Sequence, residues 1–333
     1  MRYLIDSGAR LTFAGNEWQR HYVEQTFPGL HTIHLNGYNV RYSKNGTGFI
    51  ASLMIQLPRL MKTIAYEHSW LEKAVDKYGF NGVITDNRYG LYHSVVPNVI
   101  ITHQVVPQTG WGKLADSILR SQHDKWLQRF KQCWIADAEH GPNLAGSLSR
   151  PYILPANARY IGLLSQHENV AVADKHLLVM LSGPEPQRSI LSDLLWQQLQ
   201  SYKDKLVFVE GSDNAPLRKS TSNITHYKRL TADSLTPLLA NASMVICRSG
   251  YSTLMDLLAL NKKAIIIPTP GQAEQEYLGH YLHSEGVYYS TRQKGLDIIA
   301  SLEATKQFPF YQPNTGQSFQ QYKTVVDDWL KAL

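Results

Sequence analysis

Short apolar, often β-branched runs alternate with stretches of helical periodicity along nearly the whole chain. Residues 11–15 and 31–35 read as strands flanking a polar amphipathic helix over 16–26. A long helical stretch over 48–78 follows, and Pro58 within it is expected to kink or divide it. Residues 82–85, 98–102 and 132–136 read as buried strands, with a helix over 113–130 before the last. Residues 141–164 are rich in Gly, Pro, Asn and Ser and look like the exit from one domain and the entry to the next. Strands are then expected at 176–181, 206–209, 224–227, 244–247 and 264–268. Helices are expected at 187–200, 235–240, 253–259, 273–284, 296–305 and 317–333.

Strand–helix alternation of this kind predicts an α/β protein with parallel sheets covered on both faces. At 333 residues the chain suits two such domains, expected over 1–160 and 161–316, with a terminal helix over 317–333 packing back on the first. Ligands of parallel sheets bind beyond the carboxyl ends of strands, where loops feed helix N-termini. Three loops of the second half therefore stand out.

The strongest is Arg248-Ser249-Gly250-Tyr251-Ser252-Thr253. Gly250 permits close backbone approach, Ser252 or Thr253 can cap the following helix, and the free N–H groups suit a phosphate. Asp256, one turn further in, is placed to meet ribose hydroxyls. The second loop, around Ser182, Gly183 and Arg188, offers backbone amides and a countercharge. Its two prolines remove two donors, so it makes a poorer cradle, and it lacks the Gly-Lys-Ser/Thr of a P-loop. The third, from Pro268 to Tyr277, projects Gln272, Gln275 and Glu276, a density of amides and carboxylates that suits sugar hydroxyls. Taken singly, each loop is as well explained as a capped turn or a solvated helix face.

Charge changes the picture modestly. Residues 1–165 carry 17 Lys+Arg against 11 Asp+Glu, whereas 166–333 carry 16 of each, so the whole formal charge of +6 lies in the first half. This bias suits an anionic partner, although solubility explains it equally well. Lys113, Arg120, Lys125, Arg129 and Lys131, interleaved with Trp111, Leu114, Ile118, Trp126 and Phe130, would form a basic amphipathic face for peripheral membrane contact. An ordinary helix packing one side on a sheet is the stronger reading of the same residues. No nucleic-acid motif accompanies the charge. Cys133 and Cys247 sit in apolar runs and read as buried strand thiols of a reducing compartment. The best membrane candidate, residues 47–58, is about a dozen residues long where a span needs ~20. A cytoplasmic protein, touching at most the inner face of a membrane, is expected. No Asp-x-Asp triplet or tight His/Cys cluster suggests a metal, and Asp137-Ala138-Glu139 reads as structural.

The run from Cys247 to Leu282 resembles the carboxyl-terminal domain of the family 28 glycosyltransferases, which include peptidoglycan N-acetylglucosaminyltransferases. Arg248-Ser249-Gly250 followed by an acid at Asp256, then Gln275-Glu276-Tyr277 after a Pro-rich turn, carry the likeness. The words Asp86-Asn87-Arg88-Tyr89-Gly90-Leu91-Tyr92, Thr102-His103-Gln104, Asn143-Leu144-Ala145-Gly146-Ser147-Leu148-Ser149 and Tyr160-Ile161-Gly162 resemble a bacterial branch of the same family. The resemblance implies a GT-B fold, two Rossmann-like domains facing a cleft. It also implies inverting, metal-independent sugar transfer from a UDP-type donor as co-substrate, with no cofactor and with a lipid-linked molecule among the acceptor classes. N-acetylglucosamine is the sugar it suggests, and Glu276, where the family commonly has Gln, bears on donor identity.

Asp86 and Arg88 follow one strand and His103 and Gln104 the next, so both pairs are expected at the cleft, with His103 as candidate base. Holding a loop is the plainer role for His103. Relatives begin with a strand and a Gly-x-Gly-His loop that occurs nowhere in these 333 residues, so the first domain is expected to be incomplete at its N-terminus. Two other functions share the architecture: a UDP-sugar epimerase or hydrolase, and a non-catalytic nucleotide-sugar-binding half. Donor turnover without an acceptor would mark the first, and binding without turnover the second.

Overall fold

The structure, a computed structural model, describes residues 1–37, 49–107, 112–167, 175–315 and 317–333. The first domain runs α1 (Arg2–Asp6), β1 (Thr12–Gly15), α2 (Glu17–Thr26), β2 (His31–His34), α3 (Phe49–Tyr78), β3 (Val83–Asp86), β4 (Asn98–Thr102), α4 (Lys113–Leu127), β5 (Gln132–Ile135) and β6 (Ala158–Tyr160). A capping box starts α2, in which the Asn16 side chain accepts from Gln19 N and the Gln19 side chain accepts from Asn16 N. All ladders here are parallel, but they form two sheets, β1-β2 and β3-β4-β5-β6. Both rest on α3, whose Leu71 packs in one cluster with Leu35, Leu91, Ala14 of β1 and Val83 of β3.

The second domain runs β7 (His176–Met180), α5 (Gln187–Leu199), β8 (Leu206–Val209), β9 (Ile224–Tyr227), α6 (Ala232–Asn241), β10 (Ala242–Cys247), α7 (Tyr251–Ala259), β11 (Ala264–Ile266), α8 (Ala273–Ser284), β12 (Tyr289–Ser290) and α9 (Ile298–Ala304). Its six parallel strands lie in the order β12-β11-β10-β7-β8-β9, so the chain reverses direction across the sheet between β7 and β10. Alternate residues feed opposite faces. Leu178, Val207, Val245 and Ile266 enter one core, and Val179, Phe208, Ile246 and Ile265 the other. The last helix, α10 (Gln321–Leu330), returns to the first domain, where Val325, Val326 and Trp329 pack with Val99, Trp134 and Ile161.

Several expectations are corrected. Pro58 does not divide α3, which is continuous from Phe49 to Tyr78. The stretch 141–164 is not simply a linker, because it contains β6, which pairs with β5 and completes the first domain's larger sheet. β12 was not foreseen. Of the basic amphipathic face, Trp126 and Phe130 are buried with Leu127 in the core, whereas Ile118 is 67% exposed; Trp111 and the side chains of Lys113 and Leu114 lie outside the described residues. Packing thus takes the two described aromatics of that face inward. Both cysteines are free and buried, and burial pushes each thiol up to about 12. Among the described residues no helix is long and apolar enough to cross a membrane, and no three potential metal ligands cluster.

Candidate functional site

The three loops picked out in the second half follow β7, β10 and β11, three neighbouring strands. They therefore converge at the carboxyl edge of the sheet, beside the point where strand order reverses. The residues expected to meet a donor divide into those that face outward and those that hold the loops together.

Facing outward are Ser182, Gly183, Ser252 and Glu276, all exposed, with Gly250, Thr253 and Gln272 partly so. A Cβ added at Gly183 or Gly250 would meet no atom within 4 Å, so the backbone at both turns borders open space. Gly183 has φ +102°, which a side chain would strain. Gly250, not Ser252 or Thr253 as expected, is the N-cap of α7, which starts at Tyr251, so both hydroxyl residues lie inside the helix and no side-chain cap bond is made among the described residues.

Inward lie Arg248, Ser249 and Arg188. The Arg248 side chain was expected to meet the donor; instead it is buried behind the loops. Its Nη2 donates to Gln187 O at 2.7 Å and its Nη1 to Ile267 O at 3.2 Å and Pro268 O at 3.1 Å. One guanidinium thus ties all three loops, and burial draws its pKa down to about 10. Ser249 Oγ donates to Gln275 O at 2.9 Å, pinning the start of α7 to α8. Arg188 is likewise drawn inward. It pairs with Glu185, donates from Nη1 to Glu210 O at 3.0 Å and lies 3.7 Å from the Glu210 carboxylate. Fully buried Glu210 also pairs with Arg218 at 2.6 Å and accepts from Ser192 Oγ at 2.5 Å. Neither arginine is a free countercharge in this conformation.

Gln275 and Glu276 brace their own turn, Oε1 of Gln275 accepting from Thr269 N and Oε1 of Glu276 from Gly271 N, both at 2.9 Å. Asp256 faces the interdomain crossing. It accepts from Ser165 Oγ at 2.7 Å and lies 3.6 Å from Nε2 of His167. Burial raises its carboxyl pKa, and nearby His167 opposes the rise.

From the first domain, His103 reaches the second. Its Nε2 lies 2.8 Å from Glu274 Oε1 on the first turn of α8, and its ring stacks on Tyr251 with centroids 4.1 Å apart. Asp86, the last residue of β3, lies near His103; desolvation raises its carboxyl pKa while His103 opposes the rise. Arg88 does not join them. It pairs with fully buried Glu67 of α3 at 2.7 Å and donates to Asn36 O, so it braces the first domain instead.

Tyrosines quoted in the sequence only for the loop or the family likeness they belong to complete this junction. Tyr251 Oη donates to Ala136 O at 2.8 Å. Tyr277 Oη accepts from Ser147 N at 2.7 Å, and Tyr281 Oη donates to Asn143 Oδ1 at 3.0 Å. The first-domain side of these contacts is organised by Asp137, whose buried carboxylate accepts from Ala138 N, Leu144 N, Ala145 N and Ser149 Oγ. The sequence signal for Glu274 was present, an acid in a first helical turn beside the polar pair, but its partner lies 171 residues away. Two shallow grooves of about 500 and 300 Å³ lie elsewhere, around α2, β2 and α3, and no expected site residue lines them.

Residues 187–321 match the glycosyltransferase family 28 C-terminal domain. A UDP-N-acetylglucosamine--N-acetylmuramyl-(pentapeptide) pyrophosphoryl-undecaprenol N-acetylglucosamine transferase from Histophilus somni (strain 129Pt) is 27% identical over 157 residues, a match that spans 43% of this chain and 43% of that relative. Among solved structures, the glycosyltransferase SnogD from Streptomyces nogalater superposes with TM-score 0.64 at 13% identity, covering 99% of this chain and 93% of its own. A UDP-GlcNAc 2-epimerase from Neisseria meningitidis gives TM-score 0.54 at 11% identity over 96% and 99% of the two chains. MurG from Acinetobacter baumannii gives 0.51 at 13% over 100% and 94%. The chain has the GT-B fold, and residues 187–321 of it match the C-terminal domain of the family 28 glycosyltransferases.

Proposed function

We propose that this protein transfers a sugar, N-acetylglucosamine in the simplest reading, from a UDP-type donor to an acceptor hydroxyl with inversion and without a bound metal. The observation that carries the reading is the convergence of the β7, β10 and β11 loops at the strand-order reversal, with open backbone at Gly183 and Gly250. In it the N–H groups at the start of α7 receive the diphosphate, and Asp256 exchanges its Ser165 partner for ribose hydroxyls. Gln272, Gln275 and Glu276 meet the sugar. His103 takes the proton of the acceptor hydroxyl as its oxygen attacks the anomeric carbon. The bond to the UDP oxygen breaks on the opposite face, and α7 stabilises the departing charge. Asp86 favours the imidazolium that forms. The relative from Histophilus somni acts, by its name, on an undecaprenol-linked muramyl peptide, which supports a lipid-linked acceptor and a site of action at the inner face of a membrane.

Calorimetry with UDP and UDP-N-acetylglucosamine tests the donor site. Asp256→Ala should weaken UDP by ~1–3 kcal/mol, the cost of losing a hydrogen-bonded carboxylate partner. Unchanged affinity would remove Asp256 from the site. The epimerase likeness gives a second reading, distinguished by donor turnover in the absence of any acceptor.

A further inference from the structure

We propose that Glu274 is a positioning residue for His103, fixing which imidazole nitrogen acts as base and doing so only while the two domains are docked. This rests on the transfer reading above. An acid in the first turn of a helix ordinarily just complements the helix dipole. Glu274 does more, because its Oε1 leaves α8 and meets Nε2 of His103 at 2.8 Å across the domain junction. The two side chains are 31% and 16% exposed, so the contact is partly withdrawn from water. A carboxylate can only accept, so neutral His103 must carry its proton on Nε2, leaving the lone pair on Nδ1. The ring is meanwhile held flat against Tyr251, 8° from parallel, and Tyr251 is itself tied to Ala136 O. Two elements of the second domain, α7 and α8, therefore set both the tautomer and the orientation of a first-domain base.

The coupling has a functional consequence. Glu274 shares the first turn of α8 with Gln275 and Glu276, the residues proposed to meet the donor sugar. Movement of that turn on donor binding is transmitted directly to the nitrogen that must be unprotonated. The base is thereby assembled from both domains, and an undocked second domain leaves His103 free to populate either tautomer. When the reaction proceeds, the acceptor proton passes to Nδ1, and the resulting imidazolium keeps its Nε2–H directed at the Glu274 carboxylate.

The test uses the full chain and the substitutions Glu274→Leu and Glu274→Gln. Two-bond ¹H–¹⁵N spectra of the histidine side chains, recorded where imidazole is neutral, report the tautomer of His103, assigned by His103→Asn. Wild type should show the Nε2–H form. Glu274→Leu should give averaged shifts of a mixed population, and Glu274→Gln, which keeps an accepting oxygen, should remain near wild type. UDP release from UDP-N-acetylglucosamine with an undecaprenol-linked muramyl pentapeptide should fall at least 10-fold in kcat for Glu274→Leu. Donor KM should change less than about 2-fold, and Glu274→Gln should recover part of the rate. A plain structural tie would loosen docking without that tautomer pattern. If Glu274→Leu leaves the His103 tautomer unchanged, the positioning role is overturned whatever the kinetics show. If the tautomer shifts but wild type releases no UDP, the transfer reading fails and takes the positioning role with it.

Discussion

Gly146→Ala should separate the two domains rather than unfold either one. Gly146 has φ +57°, a conformation that disfavours alanine by roughly 1–2 kcal/mol. Its new Cβ would lie 2.3 Å from Tyr277 Oη and 3.0 Å from Tyr281 Cδ1. The two rings are stacked 7° from parallel, so they must retreat together. Retreat breaks the hydrogen bonds from Ser147 N at 2.7 Å and Ser147 Oγ at 2.9 Å to Tyr277, worth ~0.5–1.5 kcal/mol each. The junction should lose about 1–3 kcal/mol through these two bonds, and the first domain's own turn about 1–2 kcal/mol through the strain.

A double-mutant cycle isolates the part of this loss that passes through Tyr277. Tyr277→Phe alone removes the same two hydrogen bonds, about 1–3 kcal/mol, and also removes the atom that the new methyl would strike. With both substitutions present, the total should therefore fall short of the sum by about 1–3 kcal/mol, since the hydrogen bonds are lost only once. Denaturant unfolding followed through Trp134 and Trp329 for the first domain and Trp196 for the second would show transitions that no longer coincide in Gly146→Ala. Small-angle scattering should show a larger radius of gyration. Strict additivity in the cycle, or a Gly146→Ala protein with coincident transitions and unchanged scattering, refutes the reasoning.

Other perturbations follow from the same geometry. Arg248→Met deprives three loop carbonyls of a charged donor and should lower stability by about 3 kcal/mol in urea unfolding, weakening UDP binding although the side chain does not face the cleft. Asp137→Asn leaves one accepting oxygen where a carboxylate served four donors, and should lower the unfolding midpoint by the equivalent of about 2 kcal/mol. His123 is buried against Tyr89, whose ring also meets Trp126, and burial depresses its pKa from 6.5 to about 4. A depressed histidine favours the folded state fully above pH 6.5, and that contribution, about 3 kcal/mol, is lost as pH falls toward about 4. His123→Phe should flatten the acid limb of a stability–pH profile, and an unchanged limb would place the acid sensitivity elsewhere.

What could be read in the sequence was whatever a local pattern determines. Strand–loop–helix alternation placed the three candidate loops, and parallel pairing then made their strands neighbours. The short strands β6 and β12 escaped notice, although β11, also three residues long, did not. β6 sits in a Gly- and Pro-rich stretch and exists because β5 offers it a ladder, and β12 because β11 does. Side-chain direction was also illegible. Arg248 and Arg188 stand where a phosphate countercharge is expected, but their buried carbonyl and carboxylate partners lie 61 and 22 residues away for the contacts at Gln187 and Glu210. Arg88 meets Glu67 for the same reason: an uncompensated buried acid draws the nearest guanidinium, and no sequence spacing announces it.

The junction between the domains shows why these two kinds of information have to be joined. Taken alone, the second domain presents the three candidate loops at one sheet edge, and the first contributes a histidine with no evident orientation. Docking changes that, because α8 meets the first domain at Glu274, Tyr277 and Tyr281 within two and a half turns, and α7 adds Tyr251. Three of these contacts are hydrogen bonds to loops that Asp137 or a strand end holds rigid, so they fix position, and the fourth reaches an ionisable ring. The helix proposed to meet the donor sugar is thus also the helix that sets the base. An enzyme built this way would lose proton transfer before it lost donor binding as its domains part, and the order of those two losses in Gly146→Ala is the measurement on which the arrangement stands.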